Sequence, residues 1–170
     1  EYLMDDTTTE VCFGGSAGGG KSMLGSLWLV AMCVKYPGIR TLLGRTVLAT
    51  LKQTSLNTLF EVMRMSGMEA DKHYVYNGQS NTITFTNKSE IILKDLEYKP
   101  SDPNFDSLAG LEITCAVLEE ASQLTRTAYN IVKSRIRYKL NEYNLIPKVL
   151  LTTNPSQGFI KSDFYIPYVE

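Results

Sequence analysis

The period of apolar and polar positions changes several times along the chain, and each change marks an element. Val11-Cys12-Phe13 is a short apolar run suited to a buried parallel strand. Met23 to Tyr36 is long and apolar enough for a helix, which the Pro37-Gly38 turn stops. Arg40 to Arg45 reads as a second strand. From Val47 to about Ser66, Leu48, Leu51, Ser55, Leu59 and Met63 recur at helical spacing, joined by Leu56 and Phe60, and Gly67 ends that helix. From Tyr74 to Leu93 the period becomes two. Tyr74-Val75-Tyr76, Ile83-Thr84-Phe85 and Ile91-Ile92-Leu93 alternate with polar turns, which predicts a meander of short antiparallel strands. Lys94 to Leu108, with Pro100 and Pro103, reads as an irregular loop.

Glu112 to Leu118 and Lys148 to Thr152 are apolar runs of buried-strand length. Between them Leu124, Ala128, Ile131, Val132 and Ile136 form one apolar helical face. The last segment, Phe159 to Tyr168, is aromatic and is expected to be mostly extended. Strands alternating with helices predict an α/β fold of three layers: a mainly parallel sheet covered on both faces, with the antiparallel meander at one edge.

The first strand runs into Gly15-Ser16-Ala17-Gly18-Gly19-Gly20-Lys21-Ser22, which fits the Walker A pattern without a mismatch. Strand, glycine loop and helix are the context that pattern needs. Glycines let backbone N–H groups turn inward around phosphate oxygens, and the following helix points its positive end at the same anion. Lys21 then reaches the β- and γ-phosphates of ATP, and the Ser22 hydroxyl sits on Mg²⁺. The plainer reading is a glycine-rich turn that packs a helix on a sheet, but loop, Lys, Ser and flanks all agree on phosphate binding.

Hydrolysis needs a carboxylate for Mg²⁺ and a group for the attacking water. Glu119 and Glu120 end the Glu112–Leu118 strand, and in parallel sheets ligands collect at the carboxyl ends of strands. Glu119 is assigned to the metal and Glu120 to the water. Otherwise the two acids merely begin the next helix, where its dipole favours them. Asn154 ends a strand expected between the Val11 and Glu119 strands. Its amide can touch the γ-phosphate or the water, or Asn154-Pro155 is only a turn.

Composition narrows the partners. The chain has 170 residues, enough for one domain with a real core, and 44% hydrophobic and 21% charged residues suit a soluble globular protein. A net charge of −1 gives no global attraction to nucleic acid. No apolar run approaches the roughly 20 residues of a membrane span. Cys12, Cys33 and Cys115 lack metal-ligand spacing and read as small buried thiols of a reducing compartment. His73 has no Cys or His cluster beside it, and Asn87-Lys88-Ser89 reads as a turn. The chain opens on Glu1 and stops soon after an aromatic stretch, so both ends are expected to continue in a longer protein.

With these pieces placed, the chain resembles the ATPase domain of phage terminase large subunits, the motors that package DNA into viral capsids. Gly14-Gly15-Ser16-Ala17-Gly18-Gly19-Gly20-Lys21-Ser22, Ala116-Val117-Leu118-Glu119-Glu120-Ala121-Ser122 and Leu150-Leu151-Thr152-Thr153-Asn154-Pro155-Ser156 carry the resemblance, in family order. Gly44-Arg45-Thr46, Ser134-Arg135-Ile136-Arg137 and Phe164-Tyr165-Ile166-Pro167 add to it. The resemblance implies a RecA-like P-loop NTPase of the additional-strand type, with a catalytic glutamate at Glu120. It implies that Thr152, Thr153 and Asn154 couple hydrolysis to movement of double-stranded DNA. Full-length members carry a C-terminal nuclease domain with an RNase H-like fold, which nothing here matches. They assemble as rings on the portal of the procapsid, with a small terminase subunit, in the host cytoplasm.

Two departures matter. The family usually has Asp where Glu119 stands. Many members also place an Arg, acting on the neighbouring subunit, where Ala109 precedes Gly110, and others place a basic residue early in the phosphate loop, where Ser16 and Ala17 stand. The charge developing on the γ-phosphate still wants a cation, and Arg45, Arg126, Arg135 and Arg137 are the candidates. Arg126, Lys133 and Arg137 are expected on one helix face, for a neighbour's nucleotide, for DNA or for solvent. The rival readings are a RecA-like helicase domain and a nucleotide-gated assembly module with little turnover.

Overall fold

The computed structural model describes residues 1–16, 20–154 and 157–169. These form one seven-stranded sheet in the order β1-β7-β6-β2-β5-β4-β3. The strands are β1 (Glu10–Gly14), β2 (Arg40–Arg45), β3 (Tyr74–Asn77), β4 (Thr82–Phe85), β5 (Glu90–Asp95), β6 (Cys115–Leu118) and β7 (Lys148–Thr153). The pairs β1–β7, β7–β6, β6–β2 and β2–β5 are parallel. The β5–β4 and β4–β3 pairs are antiparallel, so the meander grows from the far side of β5 as the period-two segment predicts. β7 lies between β1 and β6, where the Asn154 strand was expected.

The central strands are buried on both faces, and their alternation divides the core. Leu43, Cys115, Val117 and Leu150 point to one face and join Trp28, Leu29, Leu59 and Met63 from α1 (Lys21–Lys35) and α3 (Ser55–Met65). Leu42, Ala116, Leu118, Val149 and Leu151 point to the other, with Tyr129 and Val132 of α4 (Arg126–Ser134). A period of two sends neighbours along each strand to opposite faces, so continuous apolar runs are the signature of a sheet covered twice. At Gly25 a Cβ would stand 2.9 Å from Val117 Cγ1, so only glycine lets α1 come this close to β6.

Three expectations are corrected. The helix from Val47 to Ser66 is two helices, α2 (Leu48–Gln53) and α3, broken at Thr54. Thr54 takes φ −116° and ψ −67°, its hydroxyl bonds Thr50 O at 2.8 Å, and Arg45 Nη1 donates to that hydroxyl at 3.0 Å. The Glu112–Leu118 strand begins only at Cys115, because Ile113 instead exchanges backbone bonds with Arg135 and Arg137.

The last segment is helical rather than extended. A π-helical turn over Lys161–Tyr165 runs into α5 (Ile166–Val169). Its register lays Phe159 and Phe164 against Tyr129, with ring centroids 5.3 and 6.3 Å away, and pairs Asp163 with Arg126 at 2.8 Å. Burying those rings on α4 outweighs the aromatic preference for extended backbone.

Candidate functional site

The carboxyl ends of β7, β6 and β2 and the start of α1 open onto one cleft of about 420 Å³. Parallel pairing sets Gly14 beside Thr153 and Leu118 beside Leu151, so Gly15, Asn154 and Glu119 leave the sheet on the same side. Gly20 caps α1 at φ 72°, a left-handed turn that glycine adopts without a Cβ penalty, and no side chain caps the helix start. Its first N–H groups therefore lack a side-chain acceptor, the arrangement that receives anions. Lys21 opens α1 and folds back on the loop, its Nζ donating to Gly15 O at 2.9 Å and Ser16 O at 2.7 Å. Ser22 lines the same cleft. Of the glycine-loop residues, Ala17, Gly18 and Gly19 lie outside the described residues.

The acidic pair is split by the backbone. Glu119 ends the buried run, 2% exposed, with its N–H on Gly44 O at 2.9 Å. Ser55 Oγ donates to its Oε2, and Arg45 Nη1 stands 3.8 Å from that oxygen. Its Oε1 is buried and has no partner among the described residues. A buried carboxylate oxygen left bare costs about 1–3 kcal/mol or more, which a bound cation removes. Glu120 takes φ 48°, a left-handed conformation that strains a non-glycine residue by about 1–3 kcal/mol and recurs at functional sites. That turn directs Glu120 into the cleft with its side chain 37% exposed, and Arg45 Nη2 donates to Glu120 Oε1 at 2.6 Å.

Arg45 therefore holds Glu120, Glu119 and Thr54 together. Ser55 and Thr54 are the members that sequence reasoning missed. Ser55 fell on the apolar face of a helix pattern, and it is indeed buried, but as the donor to Glu119. A lone hydroxyl among apolar positions was the available signal. Thr152 and Thr153, both buried, and Asn154 close the cleft from β7, with Thr153 Oγ1 donating to Asn154 O at 2.8 Å.

The structure brings Lys21, Ser22, Arg45, Glu119, Glu120 and Asn154 to one cleft. It does not bring Arg137 there. Arg137 donates its N–H to Ile113 O at the amino-terminal end of β6 and pairs with Glu112 at 3.3 Å. The expected basic face of Arg126, Lys133 and Arg137 is not free. Arg126 pairs with Asp163, Lys133 with Glu10 at 2.6 Å, and Arg137 lies past the end of α4.

Charge and donor type indicate what fits. Lys21 and Arg45 face Glu61, Glu119 and Glu120 across the cleft, one net negative charge, so a polyphosphate needs a cation to enter with it. No cluster of three or more His, Cys, Asp or Glu that could hold a metal exists among the described residues. One hydroxyl and one carboxylate with a bare oxygen suit Mg²⁺, which keeps several waters and takes the rest of its ligands from phosphate.

A parallel sheet bearing a glycine loop, a helix start and a strand-end carboxylate pair defines a P-loop NTPase domain. The sequence matches the family model of the phage terminase large subunit over residues 6–164, and the chain belongs to that family. No curated protein matches it in sequence.

Among solved structures it is similar to the large terminase of the thermophilic bacteriophage D6E, at a TM-score of 0.73 and 16% identity over 96% of this chain and 38% of that one. The D6E protein in complex with ADP or with ATP-γ-S matches at 0.69 and 0.65, each at 16% identity over 92% of this chain, and over 37% and 36% of that one. The N-terminal domain of the DNA packaging ATPase from bacteriophage phi29 matches at 0.64 and 15% identity, over 93% of this chain and 80% of that domain. The fold is thus that of terminase ATPase domains. The chain spans little more than a third of the D6E protein.

Proposed function

We propose that this domain binds ATP with Mg²⁺ in the cleft between the phosphate loop and Glu119–Glu120, and hydrolyses it to drive double-stranded DNA into a procapsid. The observation that carries the reading is the convergence of Lys21, Ser22, Arg45, both glutamates and Asn154 on one cleft. The ADP and ATP-γ-S complexes of the D6E large terminase support the choice of nucleotide.

Each residue has a definite task. Lys21 exchanges its bonds to Gly15 and Ser16 for oxygens of the β- and γ-phosphates. Ser22 and the bare Oε1 of Glu119 would hold Mg²⁺, which when bound would neutralise phosphate charge. Glu120 accepts a proton from the water that attacks the γ-phosphorus. The bond from that phosphorus to the bridging oxygen breaks, and ADP leaves with the electron pair. Arg45 orients Glu120 and supplies positive charge next to the transferring group. Asn154, with Thr152 and Thr153 behind it, reads the γ-phosphate and carries its state into β7.

An arginine from a neighbouring subunit completes the cation set in a ring assembled on the portal with the small subunit. In that ring Arg137 can serve only another subunit's nucleotide. The work takes place in the host cytoplasm, and no helix among the described residues is long and apolar enough to cross a membrane.

Calorimetric titration of ATP in Mg²⁺ buffer tests the binding step. Lys21→Ala, which removes the phosphate-facing ammonium, is expected to weaken ATP binding by about tenfold or more. Wild-type affinity in that variant would place the nucleotide elsewhere.

A further inference from the structure

Three carboxylates line the phosphate cleft, and two of them are held. Ser55 donates to Glu119 with Arg45 beside it, and Arg45 donates to Glu120. The third, Glu61, lines the cleft from α3 and is exposed. Its carboxylate has no hydrogen-bond or ion-pair partner among the described residues, and Arg64, three residues on along the same helix, does not pair with it. Its place follows from α3 itself. The helix begins at Ser55, on Glu119, and Thr58 and Glu61 follow at intervals of three, so one inclined row of side chains runs from the buried acid along the cleft. The first turn of α1, with Lys21 and Ser22, lines the same cleft. Among the described lining residues, Lys21 is the cation without a carboxylate partner, and Glu61 is the carboxylate without a cation.

A solvated helix face accounts for an exposed glutamate elsewhere on α3. Glu61 instead shares its cleft with the groups that take a polyphosphate. A metal-free nucleoside triphosphate carries several negative charges, and an unpaired carboxylate in the same cleft repels each of them. The magnesium complex carries less charge and brings the waters that Mg²⁺ keeps, which a carboxylate accepts hydrogen bonds from. We propose that Glu61 is a specificity-determining residue, which makes the cleft take the magnesium complex of ATP in preference to the metal-free nucleotide. This rests on the reading of the phosphate cleft as an ATP site. Ser22 and Glu119 are the ligands for the cation in that reading, and Glu61 acts on which form of the nucleotide enters. Because Glu61 is exposed, the repulsion acts partly through water, so it is modest and screened by salt.

The test is calorimetric titration of ATP, once with Mg²⁺ and once with a chelator in its place, into wild type, Glu61→Gln, Glu61→Asp and Lys21→Ala. The ratio of the two affinities is the readout. Glu61→Gln is expected to lower that ratio by about three- to tenfold, chiefly because metal-free ATP binds more tightly. Glu61→Asp, which keeps the charge, should restore it. Raising the salt from about 0.05 M to about 0.5 M should shrink the difference between wild type and Glu61→Gln. An unchanged ratio in Glu61→Gln, with both forms of ATP lost in Lys21→Ala, overturns the role of Glu61 and leaves the phosphate site standing. A ratio lowered only by loss of the magnesium form also overturns it, since Glu61 then excludes nothing. If Lys21→Ala keeps both forms, the phosphate site fails, and the role of Glu61 with it.

Discussion

Glu119 and Glu120 are consecutive in the chain and opposite in circumstance. Glu119 continues the buried run of β6 and ends with one oxygen on Ser55 and the other bare. Glu120, turned by its left-handed φ, faces the cleft and meets Arg45. That division is why we propose Glu119 as the metal ligand and Glu120 as the proton acceptor. Ser55 orients Glu119 from behind, and outer partners of this kind typically govern metal affinity by about 10–100-fold. Ser55→Ala is therefore expected to raise the Mg²⁺ concentration needed for half-maximal ATP turnover by a factor in that range. An unchanged Mg²⁺ requirement would show that the hydroxyl merely packs. The acidic pair was legible in the sequence because its two members are adjacent at a strand end. Ser55 was not, because it stands 64 residues from Glu119 and in sequence belongs to a core pattern.

At the scale of elements, local pattern predicted most strands and failed where a tertiary contact decided. Nothing in Lys52-Gln53-Thr54 signals a helix break, since no glycine or proline lies there. The break follows from Arg45, 9 residues earlier at the end of β2, reaching Thr54 and so placing Ser55 at the start of α3. The C-terminal aromatics read as strand until α4 offered them a surface.

Element docking also has a pH signature. Glu10 of β1 accepts hydrogen bonds from Tyr129 Oη and Lys133 Nζ of α4, both at 2.6 Å. Burial pushes its carboxyl up, but the bonds from Lys133 and Tyr129 outweigh it and hold the group below its ordinary 4.5. A depressed carboxylate stabilises the fold fully above the unfolded value and loses that contribution as pH falls through the folded one. Thermal unfolding should find wild type more stable than Glu10→Gln at pH 7, with the gap closing below pH 4.5. A gap independent of pH would mean that the charge does not tie β1 to α4.

At the scale of the whole molecule, the alternation of strands and helices was enough to predict a mainly parallel sheet covered on both faces, and β7 takes the place between β1 and β6 that was expected of the Asn154 strand. We propose that this order builds a hydrolytic site in which Glu120 takes the proton of the attacking water. Among the described residues, the cleft has no second cation free of carboxylates beside Lys21, since Arg45 is already held by Glu119 and Glu120. That is the structural reason for expecting a neighbour's arginine and a rate per subunit that climbs with protein concentration. The most direct measurement is steady-state ATP turnover with Mg²⁺ for wild type and Glu120→Gln over a range of protein concentrations, with ATP binding followed alongside. Glu120→Gln is expected to bind ATP as wild type does and to lose turnover by about 10²–10⁴-fold at every concentration. Turnover at the wild-type rate in Glu120→Gln would contradict it.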